Sequence, residues 1–73
     1  MADSIDQAIF AIKSGDSSRG RRLLTELLQT DPANDRAWVW LAKSVTTPEW
    51  RRACLDRALA LNPANPEAQQ ALL

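Results

Sequence analysis

The chain repeats a helix-and-turn pattern, and that repeat limits what it can fold into. The segment "LLQTDPAN", Leu27–Asn34, returns as "ALALNPAN", Ala58–Asn65. Arg21 then pairs with Arg52, Leu24 with Leu55, Leu28 with Leu59 and Pro32 with Pro63, at an offset of 31 residues. Each copy carries an apolar stripe into an Asp/Asn-Pro turn, and a new helix follows. A unit of this size cannot bury its apolar face alone, so the copies must stack on each other.

Turn-forming clusters punctuate the chain. They are "SGDSS" (Ser14–Ser18), "TDPAND" (Thr30–Asp35), "VTTPE" (Val45–Glu49) and "NPANPE" (Asn62–Glu67). Between them lie segments of roughly 10–14 residues, rich in Ala, Leu, Arg and Gln, which favour helix. The first helix starts at Asp3 or Ser4 and ends at Gly15, with Ile5, Ala8, Ile9 and Ile12 as its stripe and Phe10 and Ala11 widening it. The second runs from about Ser17 to Thr30, with Leu23, Leu24, Leu27 and Leu28 inward. Asn34 caps the third, whose stripe is Trp38, Leu41, Ala42 and Val45. Thr47 caps the fourth, with Pro48 first in the helix and Cys54, Leu55, Ala58, Leu59 and Leu61 on its apolar side. A short fifth helix opens with Asn65 as cap and Pro66. The expectation is one all-α domain of about five helices: a first unit at 1–34, a second at 35–65 and a terminal helix at 66–73.

Composition narrows the function classes. A chain of 73 residues buries only about 60% of the surface it exposes when unfolded, so its stability is marginal without some addition. Cys54 is the single cysteine and there is no histidine. An internal disulfide and a histidine-based metal site are excluded, which leaves regular packing or oligomerisation. Nine basic residues balance nine acidic ones, giving no global pull toward nucleic acid or anionic membranes. No apolar run approaches the ~18 residues of a membrane span, and "MADSIDQAIF" lacks the basic start of a signal peptide. A cytoplasmic protein without cofactor is expected.

The segment "AWVWLAKSV" with "CLDRALALNPAN" resembles the tetratricopeptide (TPR) repeat, a family with Trp, Leu three on, a small residue next and a large residue three further. Trp38, Leu41, Ala42 and Val45 hold those places, and Leu55, Ala58, Leu59 and Asn62-Pro63 fit the second half. In the first unit Ala8, Gly15-Asp16, Leu24, Leu28 and Asp31-Pro32 fit. There Ser4 and Gln7 stand where Trp and Leu are usual, and Leu27 where Ala is usual, so that unit resembles a degenerate terminal repeat. The second unit is about three residues shorter than the family's 34. The deficit falls at "TTP", and Arg51 lands where the family has a small residue at the helix crossing. The resemblance implies antiparallel helix pairs stacked as a short right-handed solenoid, with first helices lining a groove that binds a protein or peptide. It implies a scaffold, not an enzyme. One subclass grips a C-terminal carboxylate with Lys and Asn on those helices, but the groove positions here include Ile5, Ile9, Val39 and Trp40, which are apolar.

The residues agree with a non-enzymatic reading. Without His or Tyr, the commonest general base is absent. Cys54 has no histidine partner and reads as a small buried hydrophobe. Gly15 and Gly20 form no phosphate loop, and Gly20 in the first turn of the second helix suits close helix approach. The acidic residues are scattered and show no metal-ligand spacing. Arg19, Arg21 and Arg22 open the second helix, and Arg51 and Arg52 recur on the fourth. They read as a solvated face or, alternatively, as a patch for nucleic acid.

Trp38 and Trp40 point to nearly opposite sides of a helix, about 200° apart. Trp38 is assigned to the core. Trp40 is expected on a groove with Ile5, Ile9, Val39 and Lys43, as contact surface for a protein partner, plausibly a second copy. A purely structural subunit of a larger assembly is the third reading. Trp50 begins the fourth helix near a short turn, and its simplest reading is a plug against the end of the third helix or the second helix.

Overall fold

The computed structural model describes residues 4–72. It contains five helices: α1 (Ser4–Lys13), α2 (Ser17–Thr30), α3 (Asp35–Ser44), α4 (Pro48–Leu61) and α5 (Pro66–Ala71). No strand occurs among the described residues. A start of α1 at Asp3 lies outside them. Each short connection folds a helix back on its predecessor, so α1 packs on α2, α3 on α4 and α5 on α4. The hairpins meet where α3 lies against both α2 and α1.

The helix ends follow from local chemistry. Gly15 takes a left-handed φ of +93° and ends α1. The Asp16 N–H then reaches back to Ala11 O at 2.8 Å, which satisfies a carbonyl the helix would leave unpaired. Asp16 in turn accepts from Arg19 N at 3.2 Å and caps α2. Thr47 stands at the start of α4 but makes no side-chain capping bond, contrary to the expected cap. Pro48 sets that start instead, since its missing N–H leaves nothing unpaired.

The repeat holds at the level of single hydrogen bonds. Asn34 Oδ1 accepts from Ala37 N at 3.0 Å, and Asn65 Oδ1 accepts from Ala68 N at 2.9 Å. Asp31 N donates to Leu27 O and Asn62 N to Ala58 O, both at 2.8 Å. Even the turn carbonyls find equivalent donors: Trp38 Nε1 donates to Pro32 O at 3.0 Å, and Gln69 Nε2 to Pro63 O at 2.6 Å. One added feature locks the second turn to the body. Asp35, in the first turn of α3, accepts from Asn62 Nδ2 at 3.0 Å and Asn65 Nδ2 at 2.8 Å.

Small residues bring the helices close. Ala8, Ala37, Ala58 and Ala68 are fully buried, together with Leu24 and Val39. Leu41, Ala42, Val45, Cys54 and Leu55 complete most of the expected interior, with Leu23, Leu27, Leu28 and Leu59 half-buried. Two residues expected on the apolar side are exposed. Phe10 is 73% exposed, because it lies about 200° round α1 from Ala8. Leu61, in the last turn of α4 beyond the buried Ala58, is 40% exposed.

Two measurements check this packing. A Cβ at Gly20 would stand 3.1 Å from Ala8 O and collide with Ile12 Cγ1. Gly20→Ala should therefore lower stability by about 1–3 kcal/mol in urea unfolding, outweighing its gain in helix propensity. Asp35 has its carboxyl held below the usual range by the hydrogen bonds from Asn65 and then Asn62. A folded pKa below the unfolded one adds stability that is present above about pH 4 and lost as pH falls through the folded value. Wild type should lose this increment on acidification, while Asp35→Asn should be less stable at pH 7 and flatter below pH 4.

Candidate interaction surface

The expected contact residues divide into buried and exposed. Ile5 and Val39 are buried, Ile9 is half-buried and Lys43 is exposed. Trp40 is 9% exposed and packs into the core cluster with Ile5, Leu41 and Leu55. The expectation that Trp40 opens onto a groove is therefore corrected. Trp38, expected in the core, is half-buried and packs against the same cluster, with the Arg57 guanidinium 5.5 Å from its ring centre.

The physical reason is that α3 has neighbours on two sides. One side meets α4, and the other meets α1 and α2. Lys43 Nζ lies 4.1 Å from the centre of the Trp40 ring and Lys13 Nζ 5.7 Å, so two ammonium groups stand over the ring where an open groove was expected. Lys43 also pairs with Glu67 at 3.3 Å, a surface pair worth at most about 1 kcal/mol. Trp40 Nε1 has no hydrogen-bond partner among the described residues and is sealed from solvent. Leaving such a donor unpaired costs about 1–3 kcal/mol, which the buried ring offsets.

The arginines stand at the starts of α2 and α4. Arg21 is half-buried, and Arg19, Arg22, Arg51 and Arg52 are exposed. Two of them are engaged within the chain. Arg51 donates to Val45 O at 3.0 Å, and Arg52 bonds Asp56 at 3.3 Å. Cys54 is buried, and desolvation pushes its thiol pKa up, which suppresses the reactive thiolate. No cluster of three or more potential metal ligands occurs among the described residues. Nor is any described helix long and apolar enough to cross a membrane.

What the surface does offer is apolar and lies at the edges. Phe10 rises beside a hollow of about 380 Å³ at the α1–α2 edge, lined also by Asp6, Gln7, Asp16 and Arg19. Trp50 is 48% exposed and forms, with Trp38, Ala53, Arg57 and Ala60, a shallow depression of about 550 Å³ between α3 and α4. A third hollow, of about 300 Å³, opens between α3, α4 and α5. Sequence reasoning had Phe10 widening the inward stripe of α1 and left the role of Trp50 open. The available signal was angular, since Phe10 is as far round α1 from Ala8 as Trp40 is round α3 from Trp38. Comparison with family models, curated proteins and solved structures yields no match for this chain.

A structural role for Trp40 has a direct test. Trp40→Phe removes the unpaired N–H while keeping an aromatic ring, and should change stability by about 1 kcal/mol or less. Trp40→Ala should cost about 3–5 kcal/mol, enough to unfold much of so small a domain.

Proposed function

We propose that the chain is a non-enzymatic protein-interaction module of tetratricopeptide type, a helical frame that presents apolar side chains to another polypeptide. The observation that carries this reading is Phe10, a large aromatic residue 73% exposed on a well-packed helix that does not use it. An exposed aromatic costs solubility and gains nothing inside the fold, whereas aromatic anchors dominate binding energies at interfaces. Trp50 adds a second such anchor on α4. The repeated hydrogen bonds at the two Pro turns support the family resemblance, because they give both units one design. Trp40, by contrast, is assigned a packing role. A nucleic-acid role for the arginines gains no support from their geometry, since Arg51 and Arg52 are bound to Val45 and Asp56.

A photo-cross-linking residue placed at position 10 or 50 should capture a second polypeptide, self or foreign, in cells that express the protein. Phe10→Ser should keep the wild-type unfolding midpoint and reduce capture from position 50 only if both residues touch one partner. A folded protein captured at neither position would contradict the reading.

A further inference from the structure

We infer that α5 is a lid: it opens as a unit while α1–α4 stay folded, and in opening it uncovers the apolar face that Val39, Ala42 and Leu55 build between α3 and α4. The lid stands whether or not a partner meets Phe10 or Trp50.

α5 packs on α4 as α3 packs on α2. At the offset of 31 residues, Asn65 answers to Asn34, Ala68 to Ala37 and Leu72 to Leu41. The two caps are made alike, and Ala37 and Ala68 are both fully buried. Past that point the helices differ. Where α3 carries Trp38, Val39 and Trp40, α5 carries Gln69, Gln70 and Ala71, all exposed. One residue of six is buried in α5, against six of ten in α3. A helix so short does not hold in water by propensity, so α5 stays formed only while it is docked.

What docks it is largely polar. Asp35 accepts from Asn62 Nδ2 at 3.0 Å and Asn65 Nδ2 at 2.8 Å, and Lys43 meets Glu67 at 3.3 Å. Both joints reach back to α3. Bonds of this kind are exchanged for bonds to water at small net cost, whereas undocking α3 would empty the core. The segment with few buried apolar contacts is the one that opens first.

Ala71 marks what the lid covers. It lines the 300 Å³ hollow together with Val39, Ala42 and Leu55, and no other residue lining that hollow comes from outside the α3–α4 pair. A neighbouring hollow of about 280 Å³ shares Ala71, Leu55 and Arg51 with it and ends at Leu72. Moving α5 away joins the two hollows and strips their common wall. Val39, expected on an open groove and fully buried in the closed form, then meets solvent.

Native-state hydrogen exchange tests this. The Asn65, Ala68 and Gln69 amides donate to Asn62 O, Asn65 Oδ1 and Asn65 O. They should share one opening constant, about a hundredfold or more above that of the α3 amides. Low urea should change it little, since a small opening exposes little surface. Gly20→Ala weakens α1 against α2, which stay packed in the open form. It should speed exchange in α3 and leave these three amides at their wild-type rates. Asp35→Asn should speed the three by about tenfold, and Glu67→Gln by about fivefold at most. Val39→Cys should react with a disulfide reagent at position 39 under the same opening constant, untouched by Gly20→Ala. Exchange of the three amides at the α3 rate, a steep urea dependence, or a rise with Gly20→Ala would mean that α5 opens only with the whole molecule. Rates graded inward from Leu72 would mean end fraying. Either result overturns the inference, as does an Asp35→Asn variant that leaves the three amides unmoved or a position-39 thiol that reacts only on global unfolding.

Discussion

The burial of α3 on both its faces holds this fold together. Six of its ten residues are buried: Ala37, Val39, Trp40, Leu41, Ala42 and Ser44. A helix buried over so much of its surface needs partners around it, and α3 has α4 on one flank and α1 with α2 on the other. Neither hairpin could bury its apolar stripe alone. Docking through α3 supplies each with the surface it lacks, which lets 69 described residues form one core without a disulfide. The burial of Ser44 fits the same logic, since its hydroxyl donates to Leu41 O at 2.7 Å and so enters the interior with its polar group satisfied.

Around that helix, polar joints fix the geometry that apolar packing alone would leave loose. The Asp35 carboxylate ties the start of α3 to the turn before α5 through two asparagines. Those asparagines are also the turn and cap of the second copy, so one cluster sets the end of α4, the start of α5 and their position against α3. In the first copy Asn34 Nδ2 bonds Asp31 instead, at 3.2 Å, within its own turn. A shared sequence motif thus serves one turn locally and the other across the core.

Much of the architecture was legible in the residues. Periodicity and turn chemistry gave all five helices, because Gly15, Asn34, Pro48, Asn65 and Pro66 act locally and need no tertiary context. The 31-residue repeat foretold matching turns for the same reason. The candidate surface was less legible. Assigning each helix a single inward stripe put Trp38 inside and Trp40 outside, and put Phe10 on the inward side. That assumption fails for a central helix, where both faces are interior, and which helix is central depends on contacts between distant segments. The lysine cover over Trp40 was equally hidden, since Lys13 reaches it from another helix. The exposed aromatic residues are instead Phe10 on α1 and Trp50 on α4.

Hydrogen exchange at the three indole N–H groups tests the two-faced burial of α3 most directly. Trp40 Nε1 is sealed from solvent, whereas Trp50 is half-exposed. The account requires the Trp40 indole proton to exchange only through global opening, with a protection that falls in step with stability in urea. It requires the Trp50 proton to exchange rapidly under all conditions. A Trp40 proton that exchanges as fast as that of Trp50 in the native protein would mean that α3 keeps one face open, and the packing described here would be wrong.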